Sequence, residues 1–249
     1  ADNGPAGGNV TSSSAGSVVL TTGGNNSSTT YTGTITNGSG NIALTKTGTG
    51  VFTLGGSGTN TLSGPVNIQN GTLQLAGSDN RLPATVSVVL GGTSTAGILD
   101  LNNFNQTIAS LTTTGSATSR VVDSTSDVIL STLTVNLASG TSTFAGVLGN
   151  AGQNDFNFTK AGAGTLVLSN YNTYSGATVI SGGTLTFPST VAAPAVNYNG
   201  FGAAVNGFQD YFSAPSLDPA WQGTGGTQTG DGFLHFTGGG TRLYQPGTD

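Results

Sequence analysis

Cysteine, methionine and glutamate are all missing from this 249-residue chain. Without cysteine there is no disulfide framework, no thiolate nucleophile and no Cys-type zinc site. Without glutamate, the paired carboxylates of a glycosidase would have to come from aspartate alone. Charge of either sign is scarce, at 6% of residues, where a globular chain carries about a quarter. The five basic residues, Lys46, Arg81, Arg120, Lys160 and Arg242, lie far apart. Nucleic-acid binding needs a clustered positive patch, so that partner class is not expected. No apolar run approaches bilayer length and no basic amphipathic helix occurs, so no membrane insertion by this segment is expected either.

What is present is glycine, 42 residues of it, with threonine, serine and asparagine supplying the polarity. Hydrophobic residues make up 35% and fall in short alternating runs such as VFTL, GTLQL, GILDL, LTVNL and TLVLS. Alternation with β-branched enrichment, punctuated by Gly/Asn/Ser clusters, predicts strands and almost no helix. The regular Asn-Gly or Asp-Gly hairpins of a meander are missing, and loops vary from TGTG to GGSGTNTLSG. That unevenness fits a chain coiling in one direction, each strand pairing with its counterpart one coil above. Thr and Asn on the outer face are expected to stack in like-residue ladders, supplying hydrogen bonds without charge repulsion.

A long internal repeat organises the chain. The segment YTGTITNGSGNIALTKTGTGVFTLGGSGTNTLSGPVNIQNGTLQL, from Tyr31, is matched by FAGVLGNAGQNDFNFTKAGAGTLVLSNYNTYSGATVISGGTLTF, from Phe144. The offset is 113 at Tyr31/Phe144, 114 at Lys46/Lys160 and 112 at Gly71/Gly183, so the gaps fall in loops. Ile42 and Leu44 match Phe156 and Phe158, Phe52 and Leu54 match Leu166 and Leu168, and Leu73 and Leu75 match Leu185 and Phe187. Each pair is spaced to point to one face of a strand. Self-similarity of this kind marks a stacked repeat architecture. At about 20 residues and 4.8 Å per coil, residues 31–187 would give about eight coils and a rod of roughly 40 Å.

The strings TKTGTGVFTLGG…NTLSGPVNIQNGTLQL and FTKAGAGTLVLSNYNTYSGATVISGGTLTF resemble the autotransporter-associated β-strand repeat. The resemblance implies a right-handed parallel β-helix in a large secreted or surface-displayed bacterial protein. Its motif is structural and carries no catalytic residues. Three regions are expected: a Gly/Ser/Asn-rich lead-in and first coil at 1–30, the β-helix at 31–187, and an aromatic, Gly-rich β tail at 188–249. In the tail, DYFSAPSLDPAWQ…GDGFLHF is similar to the opening strands of a concanavalin-like lectin/glucanase sandwich, but the chain stops well short of a full one. The tail would then be an incomplete sandwich or a strand-donating segment. The opening ADNG, without an initiator methionine, fits a mature end left by signal removal or an excised piece.

Individual candidates have two readings each. Lys46 and Lys160 share a repeat position and form either a binding row or solvated charges at a coil corner, the latter preferred. The aspartates Asp123, Asp127, Asp210, Asp218 and Asp231 are read as turn caps rather than acids or calcium ligands, since no GGxGxD-type repeat is present. His235 is read as an ordinary strand residue, and no cofactor or metal is called for. Tyr211, Phe212, Trp221 and Tyr244 are candidate contacts for assembly or for a sugar ring. The leading expectation is a non-catalytic extracellular rod, a stalk or a filament subunit forming a homopolymer through its ends and tail. A carbohydrate-binding adhesin contacting surface glycans comes second, and a polysaccharide-processing β-helix enzyme third.

Overall fold

A computed structural model describes residues 7–125, 130–149 and 156–187, together with two short strands near the C-terminus. Every element among the described residues is a strand. The first coil holds β1 (Asn9–Thr11), β2 (Gly16–Thr22) and β3 (Thr29–Tyr31), and the second holds β4 (Thr34–Thr36), β5 (Gly40–Lys46) and β6 (Val51–Leu54). The third and fourth contain β7 (Val66–Ile68), β8 (Gly71–Leu75), β9 (Ser87–Leu90) and β10 (Gly97–Asp100). The fifth comprises β11 (Gln106–Ile108), β12 (Ser110–Thr113) and β13 (Arg120–Val122). Next come β14 (Thr132–Asn136), β15 (Thr141–Phe144) and β16 (Val147–Leu148), then β17 (Asn157–Ala161) and β18 (Thr165–Leu168). The last described coil carries β19 (Thr178–Ile180) and β20 (Thr184–Thr186).

Pairing among these strands is parallel throughout, which makes a β-solenoid of about seven turns. Three faces run along it. The first contains β1-β4 and β11-β14-β17-β19, and the second β2-β5-β7-β9-β12, extended by β15-β18-β20. The third is the continuous order β3-β6-β8-β10-β13-β16. Ser142 Oγ donates to Leu111 O at 2.6 Å, which joins β15 to β12 across the break in the second face.

Paired positions lie from 19 residues apart (Leu166 and Leu185) to 27 (Gln106 and Leu133). Most coils are therefore longer than the twenty residues expected: eight stacked coils, joined by about seven turns, span residues 7–187, where about eight were expected from 31–187 alone. The excess sits in loops, which leave the rise per coil unchanged.

Strict alternation builds the core. Phe52, Leu73, Leu99, Val121 and Leu148 form one inward column, each in register with the next. Leu44, Val66, Val88 and Leu111 form another. All of these are buried, most with no exposed area, and each full burial is worth about 1.5–3 kcal/mol. The six inward pairs predicted from the repeat are all in or against this core; Leu185 and Phe187 are only half-buried because they lie on the last described coil.

The chain falls into two units, Ala1–Val196 and Asn197–Asp249. Within the second, β21 (Gly226–Gln228) and β22 (Leu234–Phe236) pair antiparallel.

Candidate functional site

The repeat position of Lys46 and Lys160 corrects the expectation of a solvated corner: both side chains have 0% exposure. The reason is parity. Ile42, Leu44 and Lys46 are alternate residues of β5, so all three point inward, as do Phe156, Phe158 and Lys160. Each aliphatic stem continues an apolar column; Lys160 sits in register between Val135 and Ile180. The ammonium ends at the coil corner, where main-chain carbonyls have left the strand ladder.

Lys46 Nζ donates to Thr47 O at 2.6 Å, Gly48 O at 2.7 Å and Asn70 O at 3.0 Å. Lys160 Nζ donates to Ala161 O at 2.6 Å, Gly162 O at 2.9 Å and Gly182 O at 3.1 Å. Three hydrogens meet three acceptors, two on the lysine's own turn and one on the coil above. The corner is glycine-shaped: Gly48 and Gly162 have φ of 65° and 72°, a region costly for residues with a Cβ. Burial lowers both lysine pKa values below 10.5.

A second shared device lies in the long loop. Asn60 and Asn172 are repeat equivalents, both 4% exposed. Asn60 Oδ1 accepts from Ile35 N at 2.7 Å and its Nδ2 donates to Arg81 O at 2.8 Å, so one loop amide spans three coils, from β4 to the loop before β9. Asn172 Oδ1 accepts from Leu148 N at 2.8 Å and its Nδ2 donates to Asn170 O at 3.0 Å. Gln106 does the same work against Leu82, accepting from its N at 3.0 Å and donating to its O at 2.8 Å.

The remaining described charges are also turned on neighbouring coils. Buried Arg81 donates to Gly55 O and Gly58 O, and burial lowers its pKa. Arg120 reaches Gly149 O at 3.5 Å. Asp79 accepts from Asn105 N and Nδ2, both at 2.9 Å. Asp100 accepts from Gln74 Nε2 at 2.9 Å, Ser124 Oγ at 2.7 Å, and the N–H groups of Asn102 and Ser124. Asp123 accepts from Asn103 N at 3.0 Å, Thr125 Oγ1 at 2.8 Å and Ser131 Oγ at 2.5 Å. The turn-capping reading of Asp123 is borne out. The outer ladder corrects the expectation of like residues, because its members are mixed: Thr53 Oγ1 donates to Gln74 Oε1 at 3.1 Å, and Gln74 Nε2 donates to Asp100 Oδ2 at 2.9 Å.

Other sequence candidates are placed only in part. His235 lies in β22 opposite Thr227. Asp127, Asp210, Asp218 and Asp231, and the aromatic set Tyr211, Phe212, Trp221 and Tyr244, lie outside the described residues. Among the described residues no group of three or more metal-ligating side chains occurs, and no helix is long and apolar enough to cross a membrane.

A protein-family model for the passenger-associated-transport-repeat matches the chain twice, at residues 44–75 and 158–187. These segments begin beside the two corner lysines and contain both asparagine bridges. The chain thus carries two copies of the repeat, which is the autotransporter-associated element that the sequence resembles. Neither match falls on the tail, so the lectin-like likeness of that region has no support from it. Comparisons with curated proteins and with solved structures give no match.

The two copies do not stand above one another. β5 and β7 of the first copy lie on the second face and β6 and β8 on the third; β17 and β19 of the second copy lie on the first face and β18 and β20 on the second. The repeat offset is not a whole number of coils, so the second copy sits one face round the axis.

Proposed function

We propose that this chain is a non-catalytic, passenger-type structural rod of a secreted or surface-displayed bacterial protein. Its work is to hold a stiff, protease-resistant β-stack that spaces or displays whatever adjoins it. One observation carries the reading: every described Lys, Arg and Asp side chain is engaged by the chain's own coils. A catalytic groove needs acids poised toward solvent with separated proton affinities, and a ligand row needs cations that face outward. A stalk needs neither. The transport-repeat copies support secretion to the bacterial surface. Head-to-tail stacking into a homopolymer is the assembly that suits such a rod.

The test uses the whole purified chain. It is incubated with a panel of plant, microbial and animal polysaccharides while new reducing ends are measured, alongside Asp100→Asn and Asp123→Asn. The expected result is no turnover by any form, with both variants less resistant to urea. Turnover by the native chain that either variant abolishes would overturn the structural reading.

A further inference from the structure

One junction in the stack is closed differently from the rest. Elsewhere on the second face neighbouring coils are joined by a parallel ladder, but β12 of the fifth coil and β15 of the sixth share none. The bonds that cross there run through side chains. Ser142 Oγ donates to Leu111 O at 2.6 Å, and Thr113 Oγ1 accepts from Ala145 N at 3.0 Å.

The cause lies in the corner between the first and second faces. In the fourth coil the chain crosses it in six residues, from Leu82 to Val88, and in the fifth in five, from Gln106 to Leu111. Leu82 and Gln106 are joined by two amide bonds, and Val88 and Leu111 are in register. The next three crossings, each in register with the one before, take nine residues (Leu133 to Ser142), eight (Phe158 to Leu166) and seven (Thr178 to Leu185). Successive crossings differ by one residue on either side of the junction and by four across it, where Gln106 pairs with Leu133. The added residues fall in the largely exposed turn 136–140, so β15 is carried away from the edge of β12.

The interior changes at the same level. The apolar column Leu44, Val66, Val88, Leu111 meets buried Ser142 and resumes only at Leu166. At the corner leading back to the first face, buried Ser131 donates to buried Asp123 at 2.5 Å. On the third face the register shortens from four pairs (β8-β10) to three (β10-β13) and then two (β13-β16). Neither repeat copy spans the plane, since residues 44–75 lie below it and 158–187 above. Each lysine corner and each asparagine bridge joins coils on its own side.

The stability of a solenoid is approximately a sum of coil terms and nearest-neighbour interface terms, so cooperativity divides at the weakest interface. We infer that the plane between the fifth and sixth coils is a hinge, at which the coils below and above part as two intact blocks before either unravels. The hinge is a property of the stack and is independent of what the rod displays.

Ser142→Ala in the full-length chain tests this, because it cuts a bond on the second face while the amides that report opening lie on the third. Val147 N donates to Ser119 O at 2.9 Å and Gly149 N to Val121 O at 2.8 Å, both across the plane. Gly91 N to Ile68 O, Ala109 N to Val86 O and Asn157 N to Ser131 O are references inside the blocks. Hydrogen exchange is followed residue by residue in both chains, over a series of urea concentrations too low to unfold either. In the native chain Val147 and Gly149 should exchange about tenfold faster than the references. They should also share one steep dependence on urea, because parting blocks expose surface. Ser142→Ala should speed both by about fivefold, the equivalent of one hydrogen bond, and leave the references unchanged. Acceleration confined to Thr141–Phe144, or a flat urea dependence at Val147 and Gly149, is local loosening and overturns the hinge. Exchange at these two amides no faster than at the references overturns it as well. Where Ser142→Ala fails to fold, the urea series on the native chain decides by the same criteria.

Discussion

Replacing Lys46 by methionine isolates the buried ammonium from its stem. Methionine keeps most of the volume that fills the column, so little cavity forms. What is lost is three hydrogen bonds from a charged donor to Thr47 O, Gly48 O and Asn70 O. At about 1.5–3 kcal/mol each, the gross loss is about 5 to 9 kcal/mol. Against it stands the desolvation of the ion, several kcal/mol that the variant no longer bears. The three acceptors are neutral carbonyls, so no opposite charge is stranded. The balance is a destabilisation of about 2–4 kcal/mol, read as the change in unfolding free energy from urea titration followed by circular dichroism. A loss below about 0.5 kcal/mol, the range of exposed substitutions, would refute the claim that this lysine fastens the corner. Lys160→Met provides the internal comparison. Its upper acceptor, Gly182 O, lies on the last described coil, and a solenoid coil contacts only its neighbours. Its effect should therefore be local: faster hydrogen exchange at Thr178–Ile180 and Thr184–Thr186, with a smaller change in the main transition.

Burial lowers the pKa of Lys46 and Lys160 below 10.5, so between the folded value and 10.5 the unfolded chain holds more protons. Stability from these groups then rises with pH across that window; the unfolding free energy of the native chain should grow relative to Lys46→Met/Lys160→Met as pH rises toward 10.5, and a falling difference would contradict the assigned direction. Asn60→Leu strands Ile35 N and Arg81 O in a dry interior and should cost about 2–5 kcal/mol, more than Asn172→Leu, where Nδ2 only closes a local turn to Asn170; chemical denaturation of the two variants ranks them. Gly71→Ala must hold φ near 68° and bring its Cβ to 2.7 Å from Gly50 O and 2.8 Å from Thr49 C. A cost of at least about 2 kcal/mol in the same titration is expected.

Much of this fold could be read from strand parity. Ile42, Leu44, Phe52 and Leu54 were assignable to the interior because alternation is strict and the second copy repeats it. Lys46 was misread although the same parity placed it inward, because a lysine is ordinarily solvated and nothing local marks the carbonyls it meets. Those carbonyls belong partly to Asn70, 24 residues on, and only the stacked structure brings them together. Asn60 and Asn172 left a usable signal, an asparagine recurring at one loop position, but loops rich in Asn obscure it. The buried Asp100 left none, since its partners Gln74 and Ser124 come from the coils on either side. Coil number was overestimated because loop length, unlike strand pattern, is free to vary without changing the rise.

Comparison of the two copies by facing direction shows what the repeat preserves. Inward, the pairs are Leu44/Phe158, Lys46/Lys160, Leu54/Leu168, Asn60/Asn172 and Leu73/Leu185, so lysine, asparagine and most of the apolar positions recur, Val66/Thr178 being an exception. Outward, Thr53 becomes Val167, Asn67 becomes Val179 and Gln74 becomes Thr186, whereas Thr45/Thr159 and Thr72/Thr184 are kept. The side chains that fasten one coil to the next are thus kept, while the outer face is kept only in part. The one-face rotation between copies strengthens the point. Two binding rows would have to look in different directions, whereas a device that closes a corner works equally well at any corner. The lysine, the left-handed glycine turn and the bridging asparagine therefore form a unit that fastens one coil to the next at whichever corner it falls.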